Sequence, residues 1–444
     1  DKSYEKAITI KPEYIEAHNN RLFTFNYLTK YDSDFNLKEA RKFGIMLNEK
    51  VTSRFTDFQG SNEPARLRVG LVSGDFRMHA VGHFLESVCS QLTKSKVELV
   101  AYTTYAKFDD LSARIKPYFS DWKALYGLTD EMAANLIHND NIHILIDLSG
   151  HTAHNRLPIF AFKPAPIQVS WLGYFATTGL AQIDYIVGDP HVTPLENQSY
   201  FVEKIWQLPE SRWCFTPPNY SINCERLPAL HLKYITFGCF NNYTKLNDSV
   251  VALWAKILNH VSDSRLYLKA SQFEDQTVRE EVIQRFLVYG IDAKRITLEG
   301  FESREKYFLA YQHVDIALDP FPFTGGTTTV EALWMGVPVL TLEGNSLVSR
   351  QGVGILINAG LPNWIAKNQD EYLTKAISFT TDLDKLAILR SGLRKCVLSS
   401  PLFDAVRFSE NFENALSGMW RHQNCTAKSG QVSATDENWT TPTD

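Results

Sequence analysis

The sequence lacks the features that mark several other classes of protein. Its six cysteines are dispersed among 444 residues with no Cys-x-x-Cys pair, which argues against a zinc site or a disulfide framework and fits a reducing compartment. No apolar run approaches the ~18 residues needed to span a bilayer. The net charge of −5 provides no basic footprint for nucleic acid. We therefore expect a cytoplasmic protein that binds neither a membrane nor nucleic acid.

What the chain does contain is enough apolar material for more than one core. Hydrophobic residues make up 44% and aromatic residues 12%, and the length predicts two or three domains. We expect tetratricopeptide-like helices and a linker in residues 1–60, since an Ala-Ile-x-x-x-Pro segment resembles the junction of two such repeats. The first residues read as a cut inside a longer protein. The polar residues 424–444 are expected to be disordered.

Between these ends, apolar strand patterns alternate with helical patterns in two sets. The predicted domains are residues 61–225 and residues 226–423, the second with a closing helix. Alternation of this kind indicates parallel sheets covered on both faces. We expect an α/β protein with two doubly wound, Rossmann-like domains that face a cleft, where the carboxyl ends of both sets of strands would bind ligands.

The segment IALDPFPFTGGTTTVEALWMGVPVLTL, residues 316–342, is the most informative stretch. It reads as a buried strand, a loop with Gly325 and Gly326, a helix that starts with Thr327 and Thr328, and a second strand. Backbone N–H groups and the positive helix end would converge there, which suits a diphosphate. Glu331 lies on the same helical face and could accept hydrogen bonds from sugar hydroxyls. The alternative is an ordinary threonine cap in an α/β unit.

Two further segments are expected to meet this stretch across the cleft. Lys245 follows a predicted strand and could neutralise a leaving diphosphate, although a solvated surface lysine is the alternative. Arg304 and Tyr307 lie in the first turn of a helix capped by Ser303, and they suit phosphate and base contacts. The alternative for this second segment is an ordinary capped surface helix.

Histidines are frequent in the first α/β half. His79 and His83 lie four residues apart, but no third ligand pattern accompanies them, so we predict no metal site. A histidine in a loop facing the cleft is better interpreted as a hydrogen-bond donor or a proton carrier. A second set surrounds another predicted strand, where His143 could equally be a satisfied core imidazole. Its members are Asp140, His143, His151 and His154.

Several motifs together resemble a known family. They are SGDFRMHAVGHF, IHILIDLSGHTAHNR, KPAPIQVSWLGYFATTG, FGCFNNYTK, LDPFPFTGGTTTVEALWMGVPVLT and SSPLFD, spread over about residues 66 to 420. The chain resembles the nucleocytoplasmic protein O-GlcNAc transferases and their SPINDLY relatives. This resemblance implies a GT-B glycosyltransferase fold that follows tetratricopeptide repeats.

The resemblance also implies residue roles. His79 matches the active-site histidine over the donor sugar, and Asp140 matches an aspartate discussed as a base. Contacts to the nucleotide and its diphosphate are implied for Asn242, Lys245, Thr327 and Thr328. Arg304 and Tyr307 match a lysine and a histidine at the nucleobase, Gly326 a histidine near the diphosphate, and Glu331 an aspartate that holds the ribose.

The activity implied is inverting, metal-independent transfer of GlcNAc from UDP-GlcNAc to serine or threonine hydroxyls of proteins, with no cofactor. Protein acceptors would be recruited by the tetratricopeptide repeats. The runs FNN and GGTTT look more like the SPINDLY branch, some of whose members transfer fucose from GDP-fucose. Three alternatives remain. The enzyme could transfer fucose from GDP-fucose, or it could transfer glucose from UDP-glucose to asparagine. The third alternative is a catalytically dead repeat scaffold.

Overall fold

The computed structural model describes residues 1–59, 61 and 63–432, with side chains described as far as residue 425. It contains an N-terminal group of helices and two α/β lobes, referred to below as the N-lobe and the C-lobe. Within the described residues, no helix combines the length and apolarity that crossing a membrane requires.

Three helices precede the first lobe: α1 (Lys2–Ile10), α2 (Ile15–Phe25) and α3 (Ser33–Lys50). Asp32 starts the third helix by accepting a hydrogen bond from the Phe35 N–H at 2.8 Å. The apolar faces of α2 and α3 pack directly on the N-lobe, where Phe43 and Leu47 join a core cluster with its strands and helices. The helices and the lobe therefore form one continuous packed body.

The α3 helix approaches the backbone of the N-lobe closely at Gly44. A Cβ atom there would lie 1.9 Å from the Gly179 carbonyl oxygen, so only glycine fits. We expect Gly44→Ala to lower stability by about 1–3 kcal/mol, because the helix must move off the lobe. Gly392, a helical glycine with nothing within 4 Å of the Cβ position, is the matched control. Gly392→Ala should raise the melting temperature, and a Gly44→Ala protein that melts like wild type would contradict the close approach.

The N-lobe is built on a seven-stranded sheet in which every neighbouring pair is parallel, with strand order β3-β2-β1-β4-β5-β6-β7. The strands are β1 (Leu67–Ser73), β2 (Val97–Thr103), β3 (Asp121–Ala124), β4 (Ile144–Asp147), β5 (Ile167–Ser170), β6 (Tyr185–Gly188) and β7 (Lys204–Gln207). The helices of this lobe are α4 (Ala80–Leu92), α5 (Asp110–Ile115), α6 (Asp130–Asn139) and α7 (Leu157–Ala161).

The C-lobe repeats this arrangement with a six-stranded parallel sheet in the order β10-β9-β8-β11-β12-β13. Its strands are β8 (Thr236–Cys239), β9 (Arg265–Lys269), β10 (Ile296–Glu299), β11 (Ile316–Leu318), β12 (Val339–Leu342) and β13 (Ile365–Ala366). Its helices are α8 (Ala229–Leu232), α9 (Asp248–His260), α10 (Gln276–Leu287), α11 (Arg304–Ala310), α12 (Thr327–Trp334), α13 (Gln351–Asn358), α14 (Gln369–Ser378) and α15 (Leu383–Leu398).

Both lobes therefore have the doubly wound topology expected from the sequence, with the strand order reversing beside the first strand of each sheet. The loops after the carboxyl ends of the strands touch across the lobes. Arg350 Nε donates to the His191 carbonyl at 2.7 Å, and Asn358 Nδ2 donates to the Glu210 carbonyl at 3.1 Å. The two carboxyl edges thus face each other, which places a cleft where such folds bind ligands.

The last described helix, α16 (Ala405–Val432), returns to the N-lobe. Its Phe412 ring lies 4.4 Å from the Trp171 ring, and the Gly418 Cβ position lies 2.7 Å from the Trp206 ring. This is the closing helix of the prediction. Residues 424–432, which we expected to be disordered, are helical, because the helix continues beyond its packed part. The rest of that prediction, on residues 433–444, lies outside the described residues.

Candidate active site

The site is built on loops at the carboxyl edges of the two sheets. The loop after β1 leads to α4, the loop after β8 runs to Lys245, and the loop after β11 runs from Asp319 to Gly326. Since all three strands are central in their sheets and parallel to their neighbours, their following loops converge on the cleft.

Asp319 fixes the shape of the loop that precedes α12. Its Oδ1 accepts from the Gly325 N–H at 2.6 Å, and its Oδ2 accepts from the Thr341 hydroxyl at 2.7 Å. The carboxyl group is 1% exposed, and this burial raises its pKa, although the two donors and the nearby Lys245 oppose the rise. The buried Asp319 carboxylate therefore fixes the conformation of the loop that leads into α12.

The N-terminus of α12 is left open. Gly326 is the N-cap residue and supplies no capping side chain, so the first N–H groups of the helix have no side-chain acceptor. Thr327 and Thr328 are partly exposed there. Free N–H groups and the positive end of the helix macrodipole give this point a net affinity for an anion.

Lys245 adds a positive charge beside that helix end. Its Nζ donates to Asn241 Oδ1 at 2.9 Å and to the Thr324 carbonyl at 3.0 Å, and it lies 4.0 Å from the centre of the Phe323 ring. Asn241 Oδ1 also accepts from the Thr328 hydroxyl at 3.0 Å, so one amide oxygen joins the lysine to the helix start. Burial lowers the pKa of Lys245, while Asp319 counteracts this.

A second cluster lies on the side of α12 that faces α11. Glu331 is 1% exposed, forms an ion pair with Arg304, and accepts from the Tyr307 hydroxyl at 2.8 Å. Tyr311 donates to the Thr328 carbonyl at 3.2 Å, which ties the same cluster to the helix start. Burial lowers the pKa of Arg304, but the charge and hydrogen bond of Glu331 together with Tyr307 and Tyr311 outweigh it and leave that pKa above its usual value.

His79 begins α4 on the N-lobe side. Its Nδ1 lies 3.4 Å from both the Val81 N–H and the Asp75 Oδ2. The Val81 N–H donates to Nδ1, so Nδ1 is the acceptor of the neutral ring and Nε2 carries the ring proton. Burial lowers the pKa of His79, with Asp75 opposing, so the ring is neutral at pH 7.

The charge of the C-lobe cluster acts on the N-lobe wall of the cleft. Burial lowers the pKa of His83 to about 3, and the guanidinium of Arg304 is the next largest contribution to that shift. Arg304 is therefore close enough to the first turn of α4 to act on the charge of His83. The cleft brings together an anion site, a carboxylate cluster and a neutral histidine.

Comparison with known proteins identifies the family. The model for "Glycosyl transferase family 41" matches residues 41–215 and 218–412. The chain belongs to this family. The match covers both lobes and part of the helix that packs on them, so it includes every loop described above.

Curated relatives of this glycosyltransferase family share the same region. A protein of Solanum lycopersicum named probable UDP-N-acetylglucosamine–peptide N-acetylglucosaminyltransferase SPINDLY is 35% identical over 93% of this chain and 45% of its own length. The Arabidopsis thaliana relative named SEC is 31% identical over 80% of this chain and 37% of its own length. The chain thus spans about half the length of the curated relatives it matches.

Solved structures give the same fold. A mutant of the Thermobaculum terrenum O-GlcNAc transferase superposes with a TM-score of 0.89 at 32% identity, covering 96% of this chain and 81% of that one. The Anabaena protein HepE, solved with UDP and glucose, superposes with a TM-score of 0.53 at 11% identity, over 80% of this chain and all of HepE. The GT-B fold implied by the sequence is therefore confirmed.

Most of the residues that the family resemblance pointed to do lie at the cleft. Lys245, Gly326, Thr327 and Thr328 surround the anion site, and Arg304, Tyr307 and Glu331 form the neighbouring cluster. Asn242 does not join them. Its side chain is exposed and accepts from the Thr244 N–H at 3.0 Å and from Gln272 Nε2 at 3.0 Å, as the cap of a short turn. The preceding residue, Asn241, is the asparagine that contacts Lys245 and Thr328 at the start of α12.

Asp140 is separated from the site. It ends α6, which leads into β4, so it lies at the edge where the N-lobe strands begin, opposite the cleft. Its carboxylate is held by the Tyr102 hydroxyl at 2.7 Å and by Lys123 Nζ at 2.5 Å. The structure does not bring Asp140 to the candidate site, because the length of the N-lobe strands separates it from His79, and its catalytic role stays a prediction.

The other histidines of the N-lobe have structural partners. His143 accepts from the Arg68 N–H at 2.9 Å, which fits the core imidazole that we left open. His151 lies 2.7 Å from Asn19 Oδ1 and 3.0 Å from the Thr178 carbonyl, joining α2 to the lobe. His154 stacks on Tyr105. In the part of the chain that the structure describes, no group of three or more His, Cys, Asp or Glu side chains is placed to hold a metal ion.

Proposed function

We propose that this chain is the catalytic part of an inverting, metal-independent glycosyltransferase that moves GlcNAc from UDP-GlcNAc to serine or threonine hydroxyls of proteins. The observation that carries the proposal is the anion site at the start of α12, where Lys245 and open helix N–H groups converge. Relatives named as peptide N-acetylglucosaminyltransferases support it.

In this proposal the donor's diphosphate occupies the anion site. The bond between the anomeric carbon and the diphosphate oxygen breaks, and negative charge develops on the leaving group. Lys245 and the N–H groups of α12 stabilise that charge from fixed positions, which is how preorganised donors lower a barrier. We propose that these groups take the place of a divalent cation, so the reaction needs no metal.

The acceptor hydroxyl attacks the anomeric carbon from the side opposite the leaving diphosphate, which inverts the configuration. As the new carbon–oxygen bond forms, the hydroxyl proton passes to a base. We propose the neutral His79 ring as that base, since Asp75 lies 3.4 Å from its Nδ1 and stabilises the imidazolium that forms. The donor phosphate and water are the remaining acceptors for this proton.

The nucleoside is assigned to the cluster around Glu331. A carboxylate oxygen of Glu331 accepts the ribose hydroxyls, while Arg304 and Tyr307 lie beside the base. Both side chains already bind Glu331, so the cluster is assembled before the donor arrives. This preorganisation lowers the entropic cost of binding.

The proposed partners follow from the family. They are a nucleotide-sugar donor and protein acceptors, with recruitment by tetratricopeptide repeats of which α1 to α3 would be the last part. We propose a cytoplasmic location, in keeping with six dispersed cysteines that form no disulfide among the described residues.

The second candidate is a protein O-fucosyltransferase that uses GDP-fucose. Two observations favour keeping it: identity to the SPINDLY relative is 35% over 93% of the chain, against 31% over 80% for the SEC relative, and the position beside the anion site is a glycine, Gly326. A transferase that uses UDP-glucose and a dead scaffold are further alternatives.

One experiment separates these candidates. A panel of serine and threonine peptides, with asparagine peptides included, is incubated with UDP-GlcNAc, UDP-glucose or GDP-fucose and its intact mass is measured. We expect addition of one N-acetylhexosamine from UDP-GlcNAc, with and without EDTA. A deoxyhexose would establish the fucosyltransferase, and a hexose on asparagine the third alternative. No addition from any donor would favour the scaffold, and loss of transfer with EDTA that manganese restores would refute metal independence.

A further inference from the structure

Two adjacent residues of the N-lobe have buried side chains without hydrogen-bond partners. Arg212 is 0% exposed, and none of Nε, Nη1 and Nη2 has a partner among the described residues. Trp213 is 3% exposed, and its Nε1 is likewise unpaired. All four nitrogens are donors, so this short segment presents only groups that an anion or an oxygen would satisfy.

An unpaired buried guanidinium is costly, and the same protein shows how the cost is usually avoided. Arg390 is 1% exposed, and its nitrogens donate to three carbonyl oxygens. Nε donates to Glu225 at 2.8 Å, Nη1 to Val314 at 2.7 Å, and Nη2 to Tyr311 at 3.4 Å. Arg212 has no such set of acceptors. A buried charge left without compensation destabilises the folded state, so its presence calls for a compensating anion.

Asp189, whose charge acts on Arg212, does not form an ion pair with it. Asp189 accepts hydrogen bonds from three backbone N–H groups, those of Arg212 at 2.9 Å, His191 at 2.9 Å and Val192 at 2.8 Å. Among the described residues, it accepts no hydrogen bond from the Arg212 guanidinium. Burial lowers the pKa of Arg212 to about 10, and Asp189 opposes this, so the guanidinium is still charged at pH 7.

The position of this charge relates it to the anion site. The guanidinium carbon lies 5.3 Å from the Trp213 ring. The same indole reaches the start of α12, where its Cη2 lies 3.3 Å from the Cβ position of Gly326. The Phe84 ring of α4 also contacts the indole, with the two ring centres 5.3 Å apart. Trp213 is therefore a spacer between the buried cation and the N-terminus that would hold a diphosphate.

We propose that Arg212 is a positioning residue whose unpaired charge is neutralised by the donor's diphosphate when that group binds at the start of α12. This inference rests on the proposed function. The free protein keeps an uncompensated cation behind Trp213, and the ligand supplies the missing negative charge. The absence of a side chain at Gly326 fits this arrangement, because a Cβ atom there would press against the Trp213 indole.

The size of the effect follows from Coulomb's law. At a separation of up to ~12 Å and an effective dielectric constant of about 20, one pair of unit charges changes a binding constant about tenfold. A diphosphate carries more than one charge. We therefore expect Arg212→Met, which keeps the volume and removes the charge, to weaken UDP binding by at least about tenfold and UMP binding by less. Arg212→Lys should restore most of the affinity.

The test compares melting temperature and nucleotide affinity in four proteins: wild type, Arg212→Met, Arg212→Lys and Arg390→Met. The free Arg212→Met protein should melt at or above the wild-type temperature, since an unpaired buried charge has been removed. Arg390→Met should melt lower, since three carbonyls lose their donor, while the folded fraction binds UDP as wild type does. A merely structural role for Arg212 would give the opposite result, a lower melting temperature with unchanged UDP affinity.

The outcomes separate this inference from the proposed function. Wild type is first titrated with UDP and with GDP by calorimetry. If either binds and Arg212→Met binds it equally well, the inference is wrong while the proposed function stands. If Arg212→Met lowers the melting temperature of the free protein, the inference is also wrong. If wild type binds neither nucleotide, the proposed function fails and the inference fails with it.

Discussion

Lys245→Met is expected to lower kcat for sugar transfer by roughly 10²–10³-fold, the range measured when one preorganised donor to a developing negative charge is removed. Lys245 lies beside the N-terminus of α12, where the leaving diphosphate is proposed to sit. Methionine preserves most of the side-chain volume under Phe323 and removes only the charge. KM should change much less than kcat, since the charge on the leaving group grows mainly in the transition state.

The same substitution should have little effect on the fold. Both acceptors of the lysine keep another donor: Asn241 Oδ1 accepts from Thr328, and the Thr324 carbonyl accepts from Gln351 Nε2 at 3.4 Å. Asp319 loses a nearby cation but keeps two hydrogen-bond donors, and its raised pKa lets it take up a proton instead. The melting temperature should therefore stay within a few degrees of wild type.

Lys163 is the matched control. It is a partly buried lysine of the N-lobe whose Nζ donates to the Gln182 carbonyl at 3.0 Å and to Asp184 at 2.5 Å, just before β5 and so at the edge opposite the cleft. Lys163→Met should lower the melting temperature and leave kcat unchanged. For both variants, kcat is measured from the release of UDP and stability from the melting temperature. A Lys245→Met enzyme with wild-type kcat would remove this residue from the mechanism.

The sequence was most informative where one segment carried both a fold signal and a chemical signal. Residues 316–342 predicted a strand, an open loop and a helix starting at Thr327, and the structure has these elements in that order. The short strands β3, β5, β6, β7 and β13 were not predicted, because two to four residues contain too little apolar periodicity to recognise.

The site shows why single positions were harder than segments. Asn241 and Asn242 are consecutive and identical in type, and only the turn at the end of β8 decides which side chain enters the cleft. Asp140 was assigned through resemblance, but which edge of the sheet a residue occupies depends on the whole topology. Arg212 and Asp319 carried no sequence signal at all, because an arginine before a tryptophan and an aspartate at a strand end are common. Their roles follow from burial and partners, which only the structure supplies.

Asp319→Ala is expected to abolish detectable transfer and to lower stability by about 3–5 kcal/mol, the usual result when one partner of a buried charged network is deleted. The Gly325 N–H and the Thr341 hydroxyl would lose their acceptor inside the protein. Lys245 would lose its opposing charge at the same time, so the loop before α12 and the cation beside it would both lose their support.

Asp315 provides a control at the other end of the same strand. It is also fully buried, and it accepts from the Ala229 N–H at 2.9 Å and from the Thr236 N–H at 2.8 Å, before β11 begins. Asp315→Ala should cost a similar amount of stability, as measured by urea unfolding. At a temperature where both variants are folded, it should still bind UDP and transfer sugar, because α12 and its loop remain in place.

Asp319→Asn then separates the hydrogen bonds of Asp319 from its charge. The amide oxygen can accept from Gly325 while the amide nitrogen donates to the Thr341 hydroxyl, which can rotate to accept. Asp319→Asn should lose less stability than Asp319→Ala. It should still transfer sugar more slowly than wild type, because the buried Lys245 no longer has a negatively charged partner beside it. If Asp319→Ala transferred sugar as fast as Asp315→Ala at equal folded fraction, Asp319 would be a determinant of the fold alone, and the anion site would not depend on the carboxylate that shapes its loop.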